Sequence, residues 1–123
     1  MLQIIFRGIE LEEVGPLSRR LVNELAAVAS CSREEISLEA VQTQAVWDGE
    51  FIDAPFRAQV NWFERGKETQ QRVVQVLDDF LCHAGYEGAH IYFVAIEPDQ
   101  YYVNGHPCGQ IVGSIVKRSE LND

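Results

Sequence analysis

Cations are scarce in this sequence: 10 Lys+Arg stand against 19 Asp+Glu, a formal charge of −9, and no helix or tail gathers the few cations into a stripe. Nucleic acid and anionic membrane surfaces call for such a stripe, so neither is an expected partner. Cysteine is scarce as well. Cys31, Cys82 and Cys108 are odd in number and far apart, with no secretion signal ahead of them, which argues against a disulfide framework and makes the cytoplasm the default compartment. Paired metal ligands are missing: a structural zinc site wants two closely spaced pairs, and only His106 and Cys108 approach that spacing, so neither metal nor cofactor is expected. No apolar run reaches the roughly 18 residues of a membrane span, and the first residues lack the charged, apolar and small layout of a leader peptide.

What is present suits one soluble domain. The 123 residues are 46% hydrophobic and 24% charged, enough for a single core. Residues 2–6 (LQIIF) favour a strand that Arg7-Gly8 ends. Val14, Leu17, Leu21, Leu25 and Val28 then recur at helical spacing within 11–29, with Gly15-Pro16 placing the start of the regular helix near Pro16. ISLEAV (36–41) alternates as a strand, and Asp48-Gly49 in VWDGEF signals a hairpin.

The order then repeats. FRAQVNWFERG (56–66) is a strand ending in Arg-Gly; from Lys67 a helix turns Val73, Val76, Leu77, Phe80 and Leu81 inward and stops at Gly85; AHIYFVAI (89–96) is a strand; Asn104-Gly105 takes the place of Asp48-Gly49. Phe6 to Phe63, Gly8 to Gly66, Val41 to Val94 and Gly49 to Gly105 are 57, 58, 53 and 56 residues apart, which marks an internal duplication. The expected fold is therefore α+β, an α/β two-layer sandwich. Two β-α-β repeats, at about 2–50 and 56–106, build a four-stranded mixed sheet with both helices on one face and short hairpin strands at the edges. The whole of 1–123 forms one domain, with 107–123 as an extension carrying Ile111, Val112, Ile115 and Val116. Ile5, Ile91, Tyr92 and Phe93 beside Ile4, Phe6 and Trp62 make the strands look apolar on both faces, so the second face is expected to be covered by association. Hairpin strands at 46–52 and 100–104 would pair with a neighbouring subunit, and Trp47, Tyr101 and Tyr102 would serve that interface.

The run WFERGKETQ, the terminal YYVNG, the strand HIYFVAI, the FRG turn and the DG hairpin together resemble the tautomerase superfamily of macrophage migration inhibitory factor and oxalocrotonate tautomerase. Within it the match is to an uncharacterised bacterial branch, the domain-of-unknown-function family 1904, over about residues 2–106. The resemblance implies a homotrimer in which each sheet lines a central barrel. It also implies a pocket where an amino-terminal proline acts as general base on carbon acids beside a carbonyl. This chain departs at that position: residue 2 is Leu, too large for removal of the initiator, so Met1 is expected to stay and to offer a primary amine.

The candidate site follows from that frame. Met1 is the candidate base, and Tyr92 falls where relatives place a tyrosine near the amino terminus, its hydroxyl suited to polarising a carbonyl. Arg65 in FERG, Arg7 in FRG and Arg33 in SCSREEIS are candidate anchors for a substrate carboxylate, which a guanidinium grips with two hydrogen bonds. The competing reading pairs Arg7 and Arg65 with a local carboxylate of Glu10, Glu64 or Glu68, leaves Arg33 in a solvated loop and makes Tyr92 a packing residue. The expected function is a trimer without proline-based catalysis that keeps a pocket for a small carboxylate. The alternative is an active keto-enol tautomerase on a small 2-keto acid, with the amino-terminal amine as base.

Overall fold

Alternation along the strands sets the two layers. In the computed structural model, which describes residues 1–108, β1 (Leu2–Arg7) buries Leu2, Ile4 and Phe6 completely while the residues between them stay partly exposed. The chain continues through α1 (Leu11–Ala29), β2 (Ile36–Val41), the hairpin β3 (Ala45–Trp47) and β4 (Glu50–Ile52), then β5 (Arg57–Trp62), α2 (Lys67–His83), β6 (His90–Ala95), and the hairpin β7 (Tyr102–Val103) and β8 (His106–Pro107). The main sheet has the order β2-β1-β5-β6, with parallel outer pairs and an antiparallel centre. Val14, Leu21, Leu25 and Ala29 of α1 and Val73, Leu77 and Leu81 of α2 join Leu2, Ile4, Phe6, Ala58, Val60 and Trp62 in one buried cluster, so both helices cover the same face. Each fully buried leucine there contributes about 1.5–3 kcal/mol of transfer free energy. The expected architecture of tandem β-α-β units with two helices on one face and short hairpins is the one observed.

Four details differ from the sequence reading. The matched faces of the two repeats set Phe6 against Trp62, 56 residues on, and not against Phe63. A shift of one residue would turn every side chain of the strand to the opposite face. Helix α1 begins at Leu11, ahead of Pro16. Ile9 and Val14, both buried, occupy the two positions that staple a helix start, and the Tyr86 hydroxyl accepts the Glu10 N–H at 3.2 Å. These contacts outweigh the one backbone hydrogen bond that Pro16 removes. Leu17 is 39% exposed, since it sits at the mouth of a groove between the helices with Val28, Val76 and Phe80 and not beneath them.

The second sheet face is mixed: Gln3, Arg7, Gln59 and Asn61 share it with Ile5, Val41, Tyr92 and Val94, the last three about 40% exposed. Ile91 and Phe93 turn toward the helices, where the Phe93 ring lies 4.9 Å from that of Trp62, and Tyr92 alone of that trio points outward. Apolar exposure is greatest on the β3–β4 hairpin, where Val46, Trp47 and Phe51 are 64%, 73% and 78% exposed. The extension from residue 109 onward, with its apolar patch, lies outside the described residues.

Gly8 ties the hairpin connection to the sheet. Its φ of 77° is left-handed, and a Cβ there would meet the Pro55 carbonyl oxygen at 2.7 Å and that of Ala54 at 3.0 Å. Gly49 has nearly the same φ, 78°, but open space around it. Gly49→Ala is expected to cost about 1–2 kcal/mol from the left-handed backbone alone. Gly8→Ala is expected to cost about 3 kcal/mol or more, because backbone oxygens cannot step aside as a flexible side chain can. Urea unfolding of the two variants side by side measures the difference, and equal losses would remove the close-approach argument.

Candidate functional site

The direction of β5 decides which arginines meet the amino terminus. Leu2 pairs with Trp62 in the antiparallel centre and with Ile36 in the parallel flank, so the segments after Trp62 and before Ile36 both arrive at Met1. Arg65 and Glu35 arrive with them, and Cys31 and Cys108 also lie within electrostatic reach of the amine. Arg65 donates from Nη1 to the Ala29 carbonyl at 3.2 Å, supplying a cation at the end of α1, whose own last turn has none. Helix α1 closes there through Ser30 in the left-handed region, with the Cys31 N–H reaching the Ala26 carbonyl at 3.2 Å. A 3-10 turn at Arg33–Glu35 follows, started by a capping box in which the Glu35 side chain accepts the Ser32 N–H at 3.0 Å. Phe63 and Tyr101, rings edge-on at 5.6 Å, follow on the β5 side, and the Tyr101 carbonyl accepts the Cys108 N–H at 2.8 Å.

These surroundings depress the basicity threshold of the amine. Burial is the largest cause, since it disfavours the charged form, and the Arg65 guanidinium adds to it; Glu35, Cys31 and Cys108 act in the opposite sense. Met1 therefore holds a primary amine whose pKa lies below its ordinary value of about 8. The neutral, proton-accepting form is correspondingly more populated near neutral pH.

The remaining candidates divide by position. Arg33 is exposed on the turn at the Met1 end, before β2. Arg7 lies at the far end of β1, where its Nη1 donates to Gln59 Oε1 at 2.7 Å and reaches the Tyr92 hydroxyl at 3.4 Å. Tyr92 donates its own proton to Gln59 Oε1 at 2.7 Å. Tyr92 is therefore level with Gln59 and Ile5, about 13 Å along the strand from Met1, and within one chain it accompanies Arg7 and not the amine. Neither Arg7 nor Arg65 takes the local carboxylate that the competing reading supplied: neutral oxygens hold both. Glu35, Cys31, Cys108, Gln59 and Arg57 were not among the sequence candidates. Only Glu35 had a legible signal, the Ser-x-x-Glu spacing of its capping box.

Among the described residues, no cluster of three or more His, Cys, Asp or Glu is placed to hold a metal ion, and no helix is long and apolar enough to cross a membrane.

The signs give a direct check. Folding lowers the pKa of the Met1 amine, so the unfolded chain binds the extra proton between the lowered value and about 8, and stability rises with pH across that window. Reductive methylation with a labelled methyl group makes the amine visible to NMR. The titration midpoint is expected below that of an exposed amino terminus, to move up in Arg65→Ala and to move further down in Glu35→Gln. An unshifted midpoint in both variants would show that neither charge reaches the amine.

The comparisons with known proteins fit this geometry. A protein of the DUF1904 domain of unknown function from Sebaldella termitidis superposes with a TM-score of 0.78 at 27% identity, covering 85% of this chain and 97% of its own. A protein of unknown function from Vibrio cholerae superposes at 0.75 with 26% identity, covering 86% of each chain. A fused 4-OT wild-type asymmetric trimer superposes at 0.74 with 10% identity, covering 90% of this chain and 98% of that one, a likeness of fold alone. Among curated proteins none matches. The domain of unknown function DUF1904 matches residues 1–107, nearly the whole described length, and the chain belongs to that family.

Proposed function

We propose that this protein is a homotrimer whose amino-terminal end binds a small carboxylate, without proline-based tautomerase catalysis, because a retained Met1 stands where a proline would be needed. The observation that carries the reading is the convergence of the Met1 amine and the Arg65 guanidinium, two cationic donors, at one end of the sheet. Arg65 is held by only one described hydrogen bond, so its other donors are available to a ligand. Arg33 on the neighbouring turn adds charge at the same end.

Trimerisation is supported by the hairpin and by the relatives. An isolated two-stranded ribbon is marginal in water, and β3–β4 presents Val46, Trp47 and Phe51 to solvent in a single chain. Structures of the same fold include symmetric and asymmetric fused 4-OT trimers.

One observation favours a second reading, enolisation of a 2-keto acid with the Met1 amine as general base. Its lowered pKa makes a primary amine a usable proton acceptor near neutrality. Activity of that kind would rise with pH through the lowered pKa.

Phenylpyruvate serves as the probe for both, on a sample whose intact mass is known. Binding is expected to weaken by about tenfold or more in Arg65→Ala, the loss of a charge-assisted hydrogen bond, with enolisation no faster than buffer. A rate that disappears when the amine is acylated would establish the second reading. Binding unaffected by Arg65→Ala would overturn the carboxylate assignment. Sedimentation is expected to give a trimer that Phe51→Lys weakens, and a monomer at micromolar concentration would overturn the assembly.

A further inference from the structure

The pairing that takes Arg7 away from Met1 sets it directly opposite another arginine. Arg7 and Arg57 are cross-strand partners in β1 and β5, both on the outward face. Like charges in that arrangement destabilise a sheet by themselves. This chain has only ten Lys and Arg against 19 acidic residues, yet it sets two of them face to face. Among the described residues neither arginine makes an ion pair, since the two ion pairs found join Arg20 to Glu24 and Arg72 to Glu68.

Arg7 is also pre-oriented. Gln59 Oε1 and the Tyr92 hydroxyl fix its guanidinium with neutral oxygens, which direct it without cancelling its charge. Between the two arginines lies a cavity of about 200 Å³ lined by Thr43, Gln44, Ala45, Ala54 and Pro55. Its walls are tied down: Gln44 donates from Nε2 to the Ile52 carbonyl at 2.8 Å, and Ala54 and Pro55 lie against Gly8.

The internal duplication gives the location a meaning. Residues 56 apart share a face of the sheet, which sets Arg57 in the second repeat where Met1 stands in the first. No amino terminus can recur in mid-chain, and a guanidinium occupies the corresponding place.

We propose that Arg7 and Arg57 form a second anion site at the end of β1 opposite Met1, which takes a small doubly charged oxyanion, a phosphate group or a dicarboxylate. Two guanidiniums offer parallel N–H pairs that match either group, and the ligand supplies the negative charge that the pair lacks. The cavity admits a molecule of only a few heavy atoms, well below the size of a nucleotide site.

The test titrates inorganic phosphate and malonate separately into the full-length protein in chloride buffer, followed by calorimetry and by the arginine side-chain NMR signals. Saturable binding is expected for at least one probe, with Arg57 and Arg7 signals shifting together. Arg57→Gln is expected to weaken the binding read from the Arg7 signal by about tenfold or more, while Arg72→Gln, on the outer surface of α2 where it pairs with Glu68, leaves it within a factor of about two. Arg57→Gln should also raise the Tm in chloride buffer without either probe, by relieving the repulsion, and abolish the rise in Tm that the probe gives the parent protein. Tighter phosphate binding identifies a phosphate group as the ligand, and tighter malonate binding a dicarboxylate. No saturable shift of the Arg7 and Arg57 signals with either probe, an Arg7 shift unchanged in Arg57→Gln, or one abolished by Arg72→Gln would each overturn the proposal.

Discussion

The antiparallel pairing of β1 with β5 is the constraint on which the molecule turns. Each strand is the first of its repeat, and pairing them head to tail, Leu2 on Trp62 and Arg7 on Arg57, relates the two halves by a local twofold. Because the buried triads Leu2, Ile4, Phe6 and Ala58, Val60, Trp62 must face the same helix layer, a one-residue slip would turn three apolar side chains of one strand to the opposite face. The same register delivers charge to both ends of the strand. Residues following β5 return to the amino terminus and carry Arg65, while the start of β5 lies beside the end of β1 and brings Arg57 to Arg7.

Between those ends the outward face is organised by a directed hydrogen-bond chain. Tyr92 donates to Gln59, Gln59 to Asn61 at 2.8 Å, Asn61 to Gln3 at 2.9 Å, and Gln3 reaches Glu39 at 3.4 Å. The chain crosses all four strands from β6 to β2 and ends on a carboxylate, so each dipole points the same way and polarises the next. This explains how a face without apolar cover stays ordered: its amides satisfy one another. The case for association rests most heavily on the β3–β4 hairpin, whose aromatic surface a single chain leaves in water, with Val41, Tyr92 and Val94 of the sheet face adding to it.

Local pattern made most of the fold readable. Helical spacing, the two Arg-Gly turns and the Asp48-Gly49 and Asn104-Gly105 hairpins are short-range signals, and the duplication ordered them into tandem units. The losses came where a long-range partner decided the outcome. Pro16 looked like a helix start because Tyr86, which holds the true start, is 76 residues away from Glu10. Tyr92 looked apolar in context because its acceptor Gln59 belongs to another strand. The likeness of FRG to FERG suggested that Arg7 and Arg65 share one site, whereas antiparallel pairing sends equivalent ends of two repeats in opposite directions. Arg57 carried no chemical signature of its own, and Glu35 only that of a helix cap; what brings them to the two ends of β1 is the sheet.

A duplicated fold with a site built on an amino terminus cannot remain symmetric. The first repeat begins with a free amine, while the second begins inside a peptide chain, where a backbone nitrogen is an amide and neither accepts a proton nor carries charge. Whatever chemistry the first position supports must be lost at the second, but the electrostatic need of an anion-binding end can be met there by a side chain. In the proposed second site Arg57 would meet it, with Arg7 held in place by Gln59 and Tyr92. At the first position the change runs the other way: Leu2 is fully buried in the core and serves the sheet, which leaves Met1 to present the amine beside Arg65. Both ends of β1 thus gather cationic groups in an acidic chain, an amine and a guanidinium at one end and two guanidiniums at the other. Two facing arginines oppose stability by themselves, and the proposed anion would supply the charge that offsets them.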